Sequence, residues 1–357
     1  MSGASRHLET IASKPRPAGS AAAADARAYC KEVLEAAGFQ TVEHAFDYSA
    51  FPASWSMPLA GVAVSISAIL LYLGRSAPWL IAIASTYLAL TIGALAWMGS
   101  AGVLGFPLMR RRGVNLEAVR GAVEPTVWLV AHLDSKWQPV SMIARVAGVV
   151  GTTAGIIALF ALLLVRGGRS DSIAAAMLMF TWLASTPLML SIVGSAYNSG
   201  ALDNASGVAA VIAAAELAKR ELRIGVLITD GEELALAGAR AWVKSRRPAV
   251  ALNCDSLDDD GQLTVMYSGP RPDALASRLV RAASAQGENT RVMRLIPGVL
   301  TDSVALASAG WETLTLSRGS FRTLQRVHTS RDTLAHLRGT SIDVAARILA
   351  DTATELG

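Results

Sequence analysis

A histidine and several acidic residues directly follow three short apolar runs of the sequence. The run TVWLVA ending at Ala131 is followed by HLD, the run RIGVLIT ending at Thr229 by DGEE, and the run AVALN ending at Asn253 by CD. A fourth acid, Asp203, precedes a segment with helical spacing of its apolar residues. Imidazole and carboxylate groups are ligands that zinc and similar divalent ions accept. These residue types therefore indicate metal chemistry if the fold brings them together.

The same residues suit a pair of metal ions. Two metals about 3.5–4 Å apart need a bridging carboxylate and further ligands on each side. His132 can bind one metal while Asp134, two residues further on, orients its ring. Glu232 and Glu233 are adjacent, so their side chains diverge. One of them can hold a metal while the other takes a proton from water.

Simpler explanations exist for each position taken alone. Asp203 fits a helix N-cap, Glu232 and Glu233 fit acids in the first turn of a helix, and Asp302 fits a cap of the next helix. The run Asp258 to Asp260 fits a polar turn. Four further residues are predicted to be structural or surface groups, namely His7, His44, His336 and Cys254. For the metal prediction to fail, all the simple explanations of the acids must hold at once.

Alternating strands and helices must position these side chains. The pattern predicts strands at 126–131, 223–229, 249–253 and 311–316, and helices at 21–37, 204–220, 234–244, 274–285 and 340–356. Such alternation is typical of an α/β sheet with helices on both faces. Sites in these sheets form at the carboxyl ends of the strands. The predicted fold class is therefore α/β, with the candidate ligands along one edge of the sheet.

Four long uncharged blocks interrupt this pattern. Hydrophobic residues make up 52% of the 357 residues and charged ones 17%, against about 25% charge in ordinary soluble domains. The blocks are residues 48–74, 76–109, 146–165 and 172–202. Each contains the roughly 20 apolar residues that a helix needs to cross a bilayer. We therefore expect four transmembrane helices in two hairpins, with Arg75 on the first tip and Arg166 and Arg169 on the second.

Two hairpins return the chain to the side that it left, so all polar segments should face one compartment. The hairpin tips carry three arginines, whereas the opposite flanks carry five basic residues. Because basic residues are enriched on the cytoplasmic side of a membrane, this difference weakly favours a cytoplasmic location for the polar segments. The flanking five are Arg110, Arg111, Arg112, Lys136 and Arg145. Two cysteines exclude a disulfide framework. The net charge of +4 comes from scattered arginines, which argues against nucleic-acid binding.

The ordered motifs resemble the M28 family of zinc aminopeptidases. The resemblance lies in AHLDS at 131–135, ALDNASGVAAV at 201–211, DGEELALAGARAWV at 230–243, CDS at 254–256 and VHTSRDTL at 327–334, with LETIASKPRPAGS at 8–20 similar to the family's N-terminal segment. It implies a mixed-sheet, three-layer zinc-exopeptidase domain. The chain then divides into peptidase segments 1–54, 99–141 and 197–357, and transmembrane hairpins 55–98 and 142–196.

The resemblance also implies roles for single residues. Asp203 would bridge two Zn²⁺ ions, His132 and Asp255 would complete one site, and Glu233 and His328 the other. Glu232 would be the general base and Asp134 would orient His132. The implied reaction is hydrolysis of the peptide bond next to a free N-terminus. The sequence leaves substrate preference and oligomeric state open.

Two features depart from the family pattern. The second apolar hairpin separates His132 from Asp203, which suggests a peptide substrate that is hydrophobic or bound to the lipid bilayer. Val327 stands before His328, where some relatives carry an oxyanion-binding tyrosine, and Tyr267 and Arg318 are candidates to replace it. Three alternatives to an aminopeptidase stay open. They are a glutaminyl-cyclase-like acyltransferase, another hydrolase of this family, and a non-catalytic scaffold.

Overall fold

The chain folds into two compact units, each assembled from separate segments. The structure is a computed structural model that describes residues 3–121, 124–166, 171–193, 198–296 and 299–356. The first unit comprises Met1–Tyr48, Arg110–Trp137 and Ser195–Gly357, and the second comprises Ser49–Met109 and Gln138–Gly194. We call them the sheet unit and the helical unit.

The sheet unit is built on one mixed sheet of eight strands in the described part of the chain. The strands are β1 (Gln40–Ser49), β2 (Arg110–Val119), β3 (Val127–His132), β4 (Ile224–Thr229), β5 (Val250–Leu257), β6 (Gln262–Tyr267), β7 (Thr290–Arg294) and β8 (Glu312–Gly319). Their order across the sheet is β1-β2-β4-β3-β5-β8-β6-β7. The central strands β4, β3, β5 and β8 run parallel, whereas β2 and β6 run antiparallel to their inner neighbours.

Burial explains why the central strands read as continuous apolar runs. Every residue of β3 and β4 is buried, as expected for parallel strands covered on both faces. Alternate residues of β3 enter different cores. Val127 and Leu129 join a large cluster with helices of one layer, and Trp128 and Val130 pack with Trp242 and other residues on the opposite face.

Helices cover both faces of this sheet. They are α1 (Gly3–Ile11), α2 (Ala21–Ala36), α7 (Ser206–Leu217), α8 (Ala237–Val243), α9 (Asp273–Ala285), α10 (Asp302–Ser308), α11 (Phe321–Arg326) and α12 (Ile342–Leu356). Helix α7 packs against α1, α2 and α12 on one face, and α8 contacts α10 on the other. The predicted α/β architecture with helices on both faces is confirmed.

The helical unit contains α3 (Phe51–Leu73), α4 (Trp79–Met98), α5 (Met142–Arg166) and α6 (Asp171–Met189). All four helices are long and apolar enough to cross a membrane. Helix α3 packs against α4 and α6, and α5 against α6. Many large apolar side chains stay exposed, with Leu164 at 77% and Leu90 at 70%. The tip residue Arg169 lies outside the described residues.

Glycines allow α5 to lie close to α6. A Cβ atom added to Gly151 or Gly155 would collide with Ala184 or Thr181 of α6. Small residues one turn apart permit this kind of close helix approach in apolar surroundings. The helical unit thus combines close packing of α5 on α6 with exposed apolar side chains.

Candidate metal centre

Parallel strands bring three of the candidate groups to one edge of the sheet. His132 is the last residue of β3 and pairs in register with Thr229, the last residue of β4. Residues 230–233 continue from β4, and Asp255 lies near the end of β5, the other neighbour of β3. The carboxyl ends of parallel strands meet at one edge, so residues far apart in sequence become neighbours here.

Asp203 lies in a turn before α7 and is held there by other residues. The Asp332 carboxylate accepts hydrogen bonds from the backbone N–H of Leu202 at 2.6 Å and of Asp203 at 3.2 Å. The Asn204 side chain donates to the carbonyl of Cys254 at 2.9 Å. Helix α7 has Ala205 at its N-cap position and no side-chain cap bond. The helix-cap explanation for Asp203 is therefore wrong.

The two oxygens of Asp203 face two different histidines. Oδ1 lies 3.1 Å from Nε2 of His132, and Oδ2 lies 2.9 Å from Nε2 of His328. The same His328 nitrogen lies 2.9 Å from Oε1 of Glu233. His328 follows α11 with a φ of 62°, a left-handed conformation that is uncommon for residues other than glycine. A carboxylate placed between two imidazoles has the arrangement of a bridging ligand.

The side chains form two groups, each compact enough to hold one metal ion. His132, Glu232 and Asp255 form the first group, and Asp203, Glu233 and His328 form the second, with the ligand atoms of each group within 4.8 Å of one another. All six residues are buried. Nε2 of His132 and Oε1 of Glu233 are buried without a hydrogen-bond partner. Buried carboxylates crowd together only when a positive charge compensates them, so the residues fit divalent metal ions.

The loop that carries Glu232 and Glu233 is fixed by Asp134. Its carboxylate accepts the backbone N–H of Glu232 and of Glu233, both at 3.1 Å. Nδ1 of the His132 ring lies 3.1 Å from the backbone oxygen of Asp134 and 3.6 Å from its carboxylate. Helix α8 begins only at Ala237, so the explanation of the two glutamates as first-turn acids is wrong.

The pKa values of the two adjacent glutamates are shifted in opposite directions. Burial raises the pKa of Glu232 well above its ordinary value, although His132 opposes the shift. Burial acts in the same direction on Glu233, but His328 and Lys136 outweigh it and lower its pKa to about 2. Glu232 is thus suited to accept a proton, while Glu233 is suited to remain an anionic ligand.

Arg16 ties together the segments on which the two groups depend. The side chain is 1% exposed, and its guanidinium donates to five carbonyl oxygens: Leu133 at 2.9 Å, Ile11 at 2.8 Å, Lys14 at 3.3 Å, Ser199 at 2.5 Å and Gly200 at 3.0 Å. Leu133 and Gly200 lie on opposite sides of the second insertion of the helical unit. Arg16 therefore joins the loop of His132 to the loop of Asp203.

Several residues near the centre carry no distinctive sequence signal. Arg16 and Asp332 lie inside quoted motifs but had no predicted role, and Lys136 was counted only as a flanking charge. The Lys136 ammonium lies 2.7 Å from Oε2 of Glu233. Asp302 begins α10 without capping it, and its carboxylate accepts the Thr229 hydroxyl. Most of their side-chain partners are 73 to 184 positions away in the chain, so only the fold reveals these roles.

The other residues singled out in the sequence are not members of the two groups. His7 contacts Tyr29 and Glu216, His44 pairs with Glu117, and His336 contacts Thr333. Arg318, a candidate for oxyanion binding, donates to Glu288 at 2.8 Å. The other candidate, Tyr267, lies at the end of β6. Cys254 is fully buried, as expected for a packing residue.

Asp258 and Asp259 do more than form a polar turn. Asp258 accepts bonds from Thr323 at 2.7 Å and Arg326 at 3.2 Å, both on α11. Asp259 accepts the backbone N–H of Arg338 at 2.6 Å and of Thr340 at 2.8 Å. The pair thus anchors the segments on both sides of His328, and the prediction of a simple turn was incomplete.

Known structures share this fold. An aminopeptidase from Aneurinibacillus sp. strain AM-1 is 12% identical with a TM-score of 0.61, and the match covers 99% of this chain and 93% of that one. A zinc aminopeptidase from Bacillus subtilis is 12% identical with a TM-score of 0.59. That match covers 99% of this chain and 94% of the aminopeptidase. A glutaminyl cyclase from Porphyromonas gingivalis is 14% identical with a TM-score of 0.59. That match covers 99% of this chain and 97% of the cyclase. At these identities the likeness concerns the fold alone.

The sequence itself carries the assignment to a family. No individually curated protein matches the chain significantly. The model of peptidase family M28 matches residues 115–353, which include all six residues of the two groups as well as Asp134. The match spans well over half of the chain, and it agrees with the motifs and with the mixed sheet. The chain belongs to peptidase family M28.

Proposed function

We propose that this protein is a membrane-anchored dinuclear zinc exopeptidase that removes N-terminal residues from peptides. The observation that carries the proposal is Asp203, whose oxygens face His132 at 3.1 Å and His328 at 2.9 Å. A shared carboxylate between two ligand groups is what a two-metal hydrolase needs. The zinc aminopeptidase folds described above support the same reading.

The positions of the side chains support a role for each residue in this proposal. Asp203 would be shared by the two metal ions, His132 and Asp255 would complete one position, and Glu233 and His328 would complete the other. Zinc bound there would acidify a water molecule and stabilise negative charge on the substrate carbonyl oxygen. Asp134 acts through the backbone N–H groups of Glu232 and Glu233 and keeps both side chains in place.

Glu232 supplies the proton transfer in the proposed reaction. Its carboxylate takes one proton from water, and the water oxygen forms a bond to the carbon of the peptide carbonyl. Glu232 then gives that proton to the leaving nitrogen as the C–N bond breaks, so the products are a free amino acid and a shortened peptide. A buried carboxyl with a raised pKa holds the transferred proton readily.

The helical unit would provide the membrane anchor. Its four helices meet the length and apolar composition of membrane spans, and their exposed leucines suit contact with lipid tails. The charge difference between the hairpin tips and the opposite flanks favours placing the sheet unit in the cytoplasm. We further propose hydrophobic or membrane-bound peptides as substrates, because the second hairpin joins the chain between His132 and Asp203. Equal turnover of soluble and membrane-embedded peptides with one N-terminal sequence would contradict this part.

Metal content and amine dependence test the central proposal. Detergent-purified protein should contain about two zinc ions per chain and should release the N-terminal residue of aminoacyl fluorogenic substrates. A chelator should abolish release, and zinc should restore it. Peptides with an acetylated N-terminus are the matched control and should resist cleavage. Cleavage of acetylated peptides at the same rate would overturn the exopeptidase proposal.

A glutaminyl cyclase is the second candidate, because cyclases share the fold at TM-scores similar to those of the aminopeptidases. A cyclase would act on an N-terminal glutamine by attack of the α-amine on the side-chain amide carbon, with loss of ammonia and no consumption of water. Peptides that begin with glutamine separate the two reactions by mass. Loss of 17 Da (the mass of ammonia) would indicate cyclisation, and release of free glutamine would indicate hydrolysis.

A further inference from the structure

The two ligand groups differ in one nearby cation. The ammonium of Lys136 lies 2.7 Å from Oε2 of Glu233, and its side chain is only 12% exposed. In the described part of the chain, no ion pair joins a lysine or an arginine to Glu232 or Asp255 of the first group. One group therefore faces a buried positive charge that the other lacks.

Lys136 also controls how Glu233 presents its oxygens. Oε2 is engaged by the ammonium, whereas Oε1 lies 2.9 Å from Nε2 of His328 and has no hydrogen-bond partner. Only Oε1 is thus free to bind a metal ion. A carboxylate that offers one oxygen binds a divalent ion less strongly than one that can offer both.

The position of the lysine is set by the fold rather than by a flexible surface. Its backbone oxygen accepts the side-chain N–H of Asn198 at 2.7 Å. The preceding residue, Ser135, exchanges bonds with Arg16 in both directions at 2.9 Å. These bonds hold the backbone of Lys136 in the segment that also carries His132 and Asp134, so the side chain starts from a fixed point near Glu233.

Charge separates the two positions further. Apart from Lys136, the acids of the two metal positions match, because Asp203 is shared, Asp255 serves one position and Glu233 serves the other. Lys136 adds one positive charge beside the second position. A divalent ion in the second group is attracted less and repelled by the ammonium, and interactions between buried charges are only weakly screened.

We propose that Lys136 makes the Asp203–Glu233–His328 group the weaker and more readily exchanged of the two metal positions, so that the chain loads its metals in two separate steps. The inference rests on the proposed function, since it assumes that both groups bind metal. Lys136 is a positioning residue in this scheme, because it acts through Glu233.

Metal titration of the full chain in detergent tests the proposal without any substrate. Metal-free protein is titrated with Co²⁺, and binding is followed by the cobalt absorption bands and by calorimetry. The native chain should bind two ions with affinities at least tenfold apart. Lys136→Met should tighten the second step at least tenfold and leave the first unchanged. Lys136→Arg keeps the charge and should keep the separation.

A matched control removes another lysine from an ion pair. Lys14 pairs with Asp25 at 3.9 Å in an exposed position, so Lys14→Met should alter neither binding step. Two equal affinities in the native chain, or loss of the second ion in Lys136→Met, would overturn the role of Lys136 while leaving the dinuclear function intact. One bound ion in the native chain but two in Lys136→Met would support the role and overturn the dinuclear function of the native chain. One ion in both proteins would overturn both.

Discussion

Helices α7 and α4 are similarly rich in apolar residues but lie in different surroundings. In α7 the ten residues from Ser206 to Ala215 are all buried, whereas in α4 only Ala84 and Met98 are buried. Val211 is 0% exposed and Leu90 is 70% exposed. The sheet unit covers α7 with its own side chains, whereas α4 of the helical unit keeps most of its apolar side chains exposed. Apolar composition alone therefore does not distinguish a core helix from a candidate membrane helix.

The difference extends to polar groups. Six buried acids and histidines of the sheet unit converge on the two ligand groups, whereas the buried polar side chains of the helical unit, such as Ser65, Thr152 and Ser185, are neutral. Buried charge is costly unless it is compensated, so its concentration in one place marks the site of chemistry. The following changes test this contrast between the two units.

The largest effect should come from Glu232→Gln in the sheet unit. The amide keeps the shape but cannot accept a proton, so kcat/KM should fall about 10²- to 10⁴-fold while both metals stay bound. The rate is measured with a fluorogenic aminoacyl substrate and the metal by elemental analysis. Glu312→Gln, at an exposed position of β8, is the control and should retain activity. Activity of Glu232→Gln near the native level would remove this residue as the base.

An aspartate placed on each of the two apolar helices should have a different effect, on folding stability in α7 and on membrane insertion in α4. Val211→Asp buries an unpaired carboxylate in α7 and should destabilise the sheet unit by more than about 4 kcal/mol. Leu90→Asp leaves the sheet unit folded but should oppose membrane insertion of α4, at a cost of about 2.5–3.5 kcal/mol near the bilayer centre. Thermal unfolding in detergent and alkaline extraction of membranes measure the two effects. If Leu90→Asp inserts normally, α4 is not a membrane span.

Arg16→Lys should weaken the centre without removing any ligand. Lysine cannot reach all five carbonyl oxygens, and each one left unsatisfied costs about 1–3 kcal/mol. Because these bonds join the loops of His132 and Asp203, metal affinity should fall about tenfold. Titration with a chelator and thermal unfolding give the two quantities.

Arg120 supplies the control for this change. It also donates to backbone oxygens, those of Ala218 at 3.0 Å and of Lys219, and it stacks on Phe39. Arg120→Lys should lower stability and leave metal affinity unchanged. Equal losses of metal affinity in the two variants would show that Arg16 acts only through general stability.

The smallest effect should come from the polar contact of the helical unit. The Ser65 and Ser185 hydroxyls are 2.8 Å apart between α3 and α6. Serine pairs between apolar helices contribute about 0.6 kcal/mol, so a double-mutant cycle with Ser65→Ala and Ser185→Ala should yield a coupling of that size. Unfolding in detergent measures it. A coupling of several kcal/mol would show that the helical unit also depends on buried polar contacts, and it would weaken the contrast between the two units.

Sequence patterns located the central strands and most long helices, because buried segments leave continuous apolar or periodic patterns. The predicted helices at 21–37 and 340–356 appear as α2 and α12 within two residues at each end. The strands β1, β2, β6 and β7 were not predicted. They lie toward the sheet edges and are in part exposed, so polar residues such as Arg110 to Arg112 mask the strand pattern.

The sequence by itself determined the types and order of the candidate ligands, the family, and the apolar character of α3 to α6. These properties are local, because they depend on residue chemistry and on neighbours a few positions away. Only the tertiary structure decided which atoms meet. The Asp134 carboxylate holds the backbone of Glu232 and Glu233, Asp332 holds the turn of Asp203, and Lys136 engages one oxygen of Glu233. Spacing does not specify where a side chain points after a strand ends, and contacts across a hundred residues depend on how the whole sheet packs.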